Sequence, residues 1–321
     1  MPHIVYWARL SFGREILTQL LRDEDGIALS IVQTLQECMQ AVRDADGLIL
    51  YNCRAADARQ LAEAIAAHAP KLRWMHFLTA GMDGFDGLEL PPRIAITQTG
   101  GASAPVVAEH AMALLLALGR GLPAAWQQQA RGLWDRGCAQ GLDSLEQKTM
   151  AIIGLGFIGQ EVARRARAFG MRIVAVSRQG LPHALADESH SLRTLETALA
   201  RSDVVVLTVA LNPQTRHLLD ARTLALCKRG ATVINVSRGA IIDTEALCAA
   251  LASGQIAAAG LDVTDPEPLP EDHPLWRLPR VLVTPHVAVE GSRPTERRIA
   301  EGAIAALHSF RGHAPAATGA L

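Results

Sequence analysis

The stretch that decides the fold is Gly154-Leu155-Gly156-Phe157-Ile158-Gly159, a glycine-rich turn in the middle of the chain. It follows the apolar run 150–153 and opens a segment with helical periodicity, 160–168, which leads to a second apolar run. A strand, a turn of this kind and a helix are the arrangement of a dinucleotide-binding βαβ unit. We therefore assign Gly154, Gly156, Phe157, Ile158 and Gly159 to a cofactor site, with the pyrophosphate at the helix N-terminus.

Short apolar runs alternate with helical patterns on both sides of this turn. The first series of runs lies at 4–7, 28–32, 47–51 and 73–78. The second series lies at 149–153, 172–176, 204–209, 231–236, 259–263 and 281–284. Such alternation is typical of parallel sheets with helices on both faces. The sequence therefore predicts an α/β protein with two doubly wound parallel-sheet domains.

The order of these segments also predicts how the domains are connected. A long helix candidate at 102–120 separates the two series, and a final helical segment at 295–310 is followed by no strand. If that segment returns to the first domain, a Rossmann cofactor domain (100–291) is inserted into a flavodoxin-like substrate domain (1–99 and 292–321). Residues 121–145 are rich in Gln, Trp and Gly, and we expect them to form an arm toward a second subunit.

The bulk composition excludes several classes of function. The chain has 321 residues, 49% of them hydrophobic and 20% charged, with a formal charge of -1 that gives no reason to expect nucleic acid. Its longest strongly apolar stretch, 111–118, is far shorter than the roughly 20 residues of a membrane span. Five cysteines without a CxxC pair favour core thiols in a reducing cytoplasm over disulfides or a metal site.

The identity of the nucleotide is predicted by the residues after the second strand of the cofactor domain. NAD sites usually carry an acid there, which binds the ribose hydroxyls. This strand ends in Val176-Ser177-Arg178-Gln179, without an acid. Ser177 can hydrogen-bond to a 2′-phosphate and Arg178 can pair with it, although a solvated surface arginine is also common. The sequence therefore favours NADPH over NADH.

Three polar segments follow strands of the same domain, and they contribute Arg238, Glu267 and His286. Taken singly, such residues are more often a surface ion pair, a solvated carboxylate and a structural histidine. The carboxyl ends of parallel strands form one crevice, however, so these three side chains can converge although they are distant in sequence. Their joint position predicts a catalytic group.

Motifs in a fixed order extend this pattern over nearly the whole chain. They are Thr79-Ala80-Gly81-Met82-Asp83, Val107-Ala108-Glu109-His110-Ala111, the glycine turn, Asn235-Val236-Ser237-Arg238-Gly239, Gly260-Leu261-Asp262-Val263, Glu267-Pro268-Leu269-Pro270, His273-Pro274-Leu275-Trp276 and Thr284-Pro285-His286. With them the sequence resembles the D-isomer-specific 2-hydroxyacid dehydrogenase family, in particular its glyoxylate/hydroxypyruvate reductase-like members.

The resemblance implies NAD(P)H-dependent reduction of a small 2-oxo acid to the D-2-hydroxy acid, with a hydride transferred to C2. His286 would donate the proton, because imidazole titrates near neutral pH. Glu267 would orient His286 and favour its protonated form. Arg238 would hold the substrate carboxylate through a forked contact.

The resemblance also implies roles for four further residues. Backbone N–H groups of Ala80 and Gly81 would complete the carboxylate site, Asp262 would contact the nicotinamide carboxamide, and Val236 would line the cofactor. Relatives of this family form homodimers through the cofactor domain, which fits the arm at 121–145.

Other functions remain open at this point. Formate dehydrogenases resemble the family but carry Gln at the position of Glu267, which disfavours that activity. Some relatives are dinucleotide-sensing corepressors, and others act on larger or phosphorylated 2-hydroxy acids, which would require additional cationic groups. Residues 287–292 also depart from the shorter turn of many relatives, and this affects contacts on the substrate side.

Overall fold

The structure, a computed structural model, describes residues 1–312 and divides into two compact units. The first unit comprises Met1–Ser103 with Glu290–Leu321, and the second comprises Ala104–Val289. Residues 313–321 of the predicted substrate domain lie outside the described residues. The assignment of the first unit to the substrate and of the second to the dinucleotide stays a prediction.

The first unit is built on a five-stranded parallel sheet with the order β2-β1-β3-β4-β5. Its strands are β1 (His3–Trp7), β2 (Ala28–Val32), β3 (Gly47–Leu50), β4 (Trp74–Phe77) and β5 (Ala95–Gln98). Its helices are α1 (Arg14–Arg22), α2 (Leu35–Ala41), α3 (Ala55–His68) and the C-terminal α10 (Arg293–Gly312). This strand order is that of the flavodoxin-like folds.

Both faces of this sheet are covered, which explains why its three central strands, β1, β3 and β4, are mostly apolar and buried. Val5, Leu48 and Met75 pack on one face with residues of α2 and α3. The other face includes Trp74, whose ring stacks on Phe310 of α10 with 5.2 Å between the ring centroids. Helix α10 also packs against α1, so residues 293–312 belong to the first unit.

The second unit is built on a seven-stranded parallel sheet with the order β12-β11-β10-β9-β6-β7-β8. Its strands are β6 (Thr149–Ile153), β7 (Arg172–Ser177), β8 (Glu188–Ser191), β9 (Val204–Leu207), β10 (Ala231–Asn235), β11 (Ile256–Leu261) and β12 (Val281–Val283). Its helices are α4 (Ala104–Gly119), α5 (Leu122–Ala130), α6 (Phe157–Ala168), α7 (Leu195–Arg201), α8 (Ala221–Leu226) and α9 (Thr244–Ala252). The strand order reverses between β6 and β9, which is the switch point where doubly wound folds bind ligands. The prediction of two doubly wound parallel-sheet domains, one of them a Rossmann domain, is confirmed.

Two strands were not predicted from the sequence, and both are edge strands. Strand β5 reads Ala-Ile-Thr-Gln and β8 reads Glu-Ser-His-Ser, and no residue of either strand is fully buried. An edge strand is covered less than a central one, so it needs no apolar run. The periodicity of the sequence therefore predicted the central strands and missed these two.

Helix α4 is apolar on most sides because it lies in the core of the second unit. Val107, Ala108, Ala111, Leu115 and Leu118 are buried, and the helix packs against α6 and β11. Among residues 1–312, no single helix is long and apolar enough to cross a membrane. Helices α4 and α5, bent by 68° relative to each other, reach that length and composition only as a pair.

Candidate active site

The glycine turn after β6 has a backbone that side chains would disrupt at two of its three glycines. Gly154 has a φ of 101°, and a Cβ atom there would lie 2.8 Å from the backbone of Val209. A Cβ atom on Gly159 would lie 2.1 Å from the carbonyl oxygen of Gly154. At Gly156, in contrast, a Cβ atom would meet nothing within 4 Å. The turn is therefore tightly packed at Gly154 and Gly159 and open at Gly156, which fits the approach of a pyrophosphate to Gly156.

Helix α6 begins directly at this turn, at Phe157, and no side chain caps it. The Thr208 hydroxyl donates a hydrogen bond of 2.6 Å to the carbonyl oxygen of Gly154 and so ties the turn to the end of β9. Uncapped N–H groups and the helix dipole favour a phosphate at such an N-terminus. Phe157 is exposed and Ile158 half-buried, as residues beside a bound ligand can be.

The residues predicted to bind a 2′-phosphate lie at the end of β7. The Ser177 hydroxyl oxygen accepts a hydrogen bond of 3.0 Å from the backbone N–H of Gly180, which closes a short turn. Arg178 is exposed and forms no hydrogen bond or ion pair with any other residue between 1 and 312. A free guanidinium at this strand end is compatible with a phosphate ligand.

Arg238 follows β10, in a turn that Asn235 organises. The Asn235 side-chain oxygen accepts hydrogen bonds from the N–H and the hydroxyl of Ser237, at 3.1 and 2.9 Å. Its amide group donates to the carbonyl oxygen of Arg238, at 2.9 Å. The guanidinium itself donates to the carbonyl oxygen of Ser237, at 2.7 Å. Val236 is buried in the core beside α4, so its part in cofactor binding stays a prediction.

His286 and Glu267 form a pair, with 2.7 Å between Nδ1 of the ring and a carboxylate oxygen. The hydrogen bond that Glu267 accepts from the ring raises the pKa of His286 above its ordinary value, against the opposing effects of burial and of the Arg238 charge. The structure thus brings His286 and Glu267 together. The approach of Arg238 to this pair stays a prediction.

Asp262 lies under this group, at the end of β11, and only 1% of it is exposed. Its carboxylate accepts hydrogen bonds from the Thr284 hydroxyl (2.6 Å), Val287 N–H (3.0 Å) and Ala288 N–H (3.0 Å). Burial alone would raise the pKa of Asp262, but hydrogen bonds, including one from His110, hold it below its usual range. Its predicted contact with the nicotinamide carboxamide stays a prediction.

The predicted carboxylate-binding backbone lies in the first unit, after β4. The Thr79 hydroxyl donates a hydrogen bond of 2.7 Å to the carbonyl oxygen of Gly81, and its oxygen accepts from Asn52 N–H at 3.3 Å. The N–H groups of Ala80 and Gly81 have no hydrogen-bond partner among residues 1–312. Their part in substrate binding stays a prediction.

The five cysteines were expected to be core thiols, and three of them are buried. These are Cys38, Cys53 and Cys227, and burial raises their pKa to about 12, about 11 and about 11. Cys138 and Cys248 are partly exposed, and all five are unpaired. Within the described range no group of three or more His, Cys, Asp or Glu side chains could hold a metal ion, and the metal-free chemistry stays a prediction.

Several residues that build the site were given no role from the sequence. Asn235 shapes the Arg238 turn, Thr208 ties down the glycine turn, and Thr284 and His110 bind Asp262. The first three follow or end a strand, which was a usable signal. His110 lies on a helix 152 positions before Asp262, and no spacing rule joins them.

Comparisons with known proteins show the family of this chain. Residues 112–288, more than half of the chain, match the model of the D-isomer specific 2-hydroxyacid dehydrogenase, NAD binding domain. The chain is 37% identical over 287 residues to a glyoxylate reductase/hydroxypyruvate reductase from Mus musculus, covering 86% of this chain and 84% of the relative. It is 34% identical over 291 residues to a D-3-phosphoglycerate dehydrogenase from Methanocaldococcus jannaschii, covering 90% of this chain.

The match to the phosphoglycerate dehydrogenase covers 53% of that relative, so the chain spans about half its length. Among solved structures, a D-isomer specific 2-hydroxyacid dehydrogenase from Xanthobacter autotrophicus Py2, in complex with NADPH and MES, aligns with a TM-score of 0.80 at 26% identity. That alignment covers 97% of this chain and 95% of the other. The chain belongs to the D-isomer specific 2-hydroxyacid dehydrogenase family.

Proposed function

We propose that this member of the family reduces a small 2-oxo acid to the D-2-hydroxy acid, with His286 as the proton donor. The observation that carries the proposal is the pair of His286 and Glu267, 2.7 Å apart, in the unit that also holds Arg238 and the glycine turn. A charged carboxylate-binding group next to a poised acid suits a ketone with an adjacent carboxylate. The relatives named for glyoxylate and hydroxypyruvate reduction support this substrate class.

His286 performs the proton transfer in this proposal. Its Nδ1 faces Glu267, so Nε2 is the atom that would donate to the carbonyl oxygen of the substrate. The raised pKa increases the imidazolium fraction at neutral pH, because Glu267 stabilises its charge. As the ketone becomes an alkoxide, the Nε2 proton passes to that oxygen and leaves a neutral imidazole.

Arg238 would bind the substrate carboxylate. Asn235 holds the backbone of Arg238 through its carbonyl oxygen. The planar guanidinium is oriented by its hydrogen bond to the carbonyl oxygen of Ser237. A guanidinium stays charged at all relevant pH values and presents two parallel N–H groups to a carboxylate. A bound nicotinamide would supply the hydride to C2 of the substrate.

The glycine turn and the N-terminus of α6 would hold the pyrophosphate of that cofactor, and Ser177 with Arg178 would favour NADPH. Replacing Arg178 with Ala should raise KM for NADPH roughly tenfold while leaving KM for NADH nearly unchanged, because a charge-assisted contact contributes about 1.5–3 kcal/mol. Steady-state kinetics with both cofactors measure this ratio. Arg229→Ala, an exposed arginine of the same unit, is the control. An unchanged NADPH/NADH ratio in Arg178→Ala would contradict the preference.

Two other functions compete with this proposal. A dinucleotide sensor would bind the cofactor tightly without turnover, and an enzyme for larger or phosphorylated acids is suggested by the phosphoglycerate dehydrogenase relative. Following NADPH oxidation with glyoxylate, hydroxypyruvate, pyruvate and 3-phosphohydroxypyruvate separates the three. We expect the highest kcat/KM with glyoxylate or hydroxypyruvate. Cofactor binding without oxidation of NADPH on any of these acids would overturn the reductase proposal.

The arm at 121–145 supports a homodimer of this cytoplasmic enzyme. It carries several exposed apolar side chains, including Trp126 at 74% and Trp134 at 97% exposure. Apolar side chains that lie this open on one segment are typical of a protein interface. Light scattering should give the mass of a dimer for the full chain, and Trp126→Ser with Trp134→Ser should shift it toward the monomer. A monomeric unmodified chain would contradict this assignment.

A further inference from the structure

The backbone at His286 adopts a conformation that needs support. Its φ is 55°, in the left-handed region that side chains with a Cβ atom rarely occupy. Such a conformation is strained and persists only where the surroundings fix it. This conformation aims the ring at Glu267, so whatever fixes the turn also fixes the proposed acid.

Asp262 is what fixes the turn, and it does so at four points. Its backbone oxygen accepts the N–H of His286 at 2.8 Å. Its carboxylate accepts the hydroxyl of Thr284 and the N–H groups of Val287 and Ala288. Residues on both sides of His286 are therefore bound to one buried carboxylate. Hydrogen bonds to a buried charge are stronger than those in water, so they hold the turn firmly.

His110, on α4, completes this arrangement from the far side. Its Nε2 atom lies 2.9 Å from the Thr284 hydroxyl oxygen and 3.4 Å from a carboxylate oxygen of Asp262. An ionised carboxylate only accepts, so Thr284 must donate its single proton to Asp262. The hydroxyl oxygen then accepts from His110, which requires a proton on Nε2. His110 therefore donates to Thr284, and Thr284 donates to Asp262.

We propose that His110 is a positioning residue for His286, acting through Thr284 and Asp262. By donating to Thr284 it holds that hydroxyl against the carboxylate, and the carboxylate holds the left-handed turn. Without this donor, Thr284 is free to rotate and Asp262 loses part of the network that keeps it ionised in the interior. The inference rests on the proposed function, since it assigns His286 the role of acid.

Three variants separate positioning from a general effect on stability. His110→Leu removes the donor and keeps a similar volume, while His110→Gln places an amide N–H near the position of Nε2. Glu109→Gln, the exposed neighbour on α4, is the matched control. We expect His110→Leu to lose roughly ten- to a hundredfold in kcat, the range of a hydrogen bond to a charged network. KM should change by less than about threefold, His110→Gln should recover most of the loss, and Glu109→Gln should behave as the unmodified protein.

The pH dependence gives a readout that a loss of stability alone would not move. The charged groups that act on His286 are Glu267, Arg238 and Asp262. If the turn loosens, the contact with Glu267 weakens, and the alkaline limb of kcat should move to lower pH in His110→Leu but not in His110→Gln. A lower Tm of His110→Leu with unchanged kcat and pH profile would overturn the proposal.

A direct measurement keeps this inference distinct from the proposed function. NMR titration of ¹³C-labelled histidine, with His286 assigned from the signal missing in His286→Gln, reports the pKa of the ring without any turnover. In His110→Leu the pKa of His286 should fall toward its ordinary value. If the unmodified protein reduces no 2-oxo acid, the proposed function fails while this test still applies. If His286 titrates identically in His110→Leu and the unmodified protein, the positioning inference fails.

Discussion

Each of the two units carries a histidine bonded to a neighbouring side chain, yet the two histidines are in opposite electrostatic states. His76 lies within β4 and is 1% exposed, and burial lowers its pKa to about 4. His286 lies beyond the end of β12 with 46% of its side chain exposed, and Glu267 raises its pKa. A side chain in the middle of a covered strand is buried away from water. A side chain beyond the end of a strand can meet charged partners and solvent.

The partners of the two rings account for this difference. Nδ1 of His76 lies 2.8 Å from the Thr97 hydroxyl, which also accepts from Trp74, while Nε2 is buried without a hydrogen-bond partner within residues 1–312. A second proton on this ring would be a buried charge with no counter-ion. The parallel sheet alone therefore does not make a histidine catalytic, because its position along the strand decides whether it can be charged.

The largest test of this comparison removes the proposed acid of the second unit. His286→Gln should lower kcat by about 10³-fold, within the range of a lost general acid, while the Kd of NADPH changes little. His76→Phe at pH 7 is the matched control and should retain kcat, since its ring is already neutral. Stopped-flow reduction and fluorescence titration give the two quantities. If His286→Gln stayed within a few-fold of the unmodified protein, the assignment of the acid would be wrong.

The second test concerns the stability of the first unit in acid. Because the pKa of His76 is depressed on folding, its contribution is present above the unfolded value of about 6.5 and is lost as pH falls toward 4. This should cost about 3 kcal/mol between pH 7 and pH 4, at ~1.4 kcal/mol per pH unit. His76→Phe should therefore show a weaker acid dependence in urea unfolding.

Two further variants keep that measurement interpretable. His68→Gln, an exposed histidine at the end of α3, should retain the acid dependence of the unmodified protein. If His76→Phe does not fold, His76→Gln supplies a polar, non-titrating replacement. An acid dependence that is equal in both His76 variants and the unmodified protein would show that this ring does not charge on unfolding.

The smallest test weakens the charged partner in the second unit. If His286 is the proposed acid, it must be protonated to reduce a ketone, so activity should fall as pH rises through its folded pKa. Glu267→Gln still accepts from the ring but carries no charge, so the fall should move to lower pH, with roughly tenfold lower kcat at pH 8 and a smaller loss at pH 6. Glu271→Gln, an exposed neighbour, should leave the pH profile in place. An unshifted profile in Glu267→Gln would mean that another group sets the pKa of His286.

Much of the fold could be predicted because its signals are local. The apolar runs at 149–153 and 204–209 correspond to β6 and β9, which flank the switch point of the second sheet. The glycine turn directly follows β6. The edge strands β5 and β8 escaped prediction because half-covered strands need no apolar run. Within the site, the sequence singled out Arg238, Glu267 and His286 because each follows a strand, and parallel strands bring such positions to one edge.

The sequence by itself determined which chemical groups the chain owns and at which sheet edge they lie. Only the tertiary structure decided that Asp262 is buried beneath the His286 turn, where Thr284 binds it and His110 contacts Thr284. These contacts join residues that are 22 and 174 positions apart. Periodicity and motif spacing report which way a side chain faces within its own element. They carry no information on which distant atom it meets, because that follows from how the elements pack.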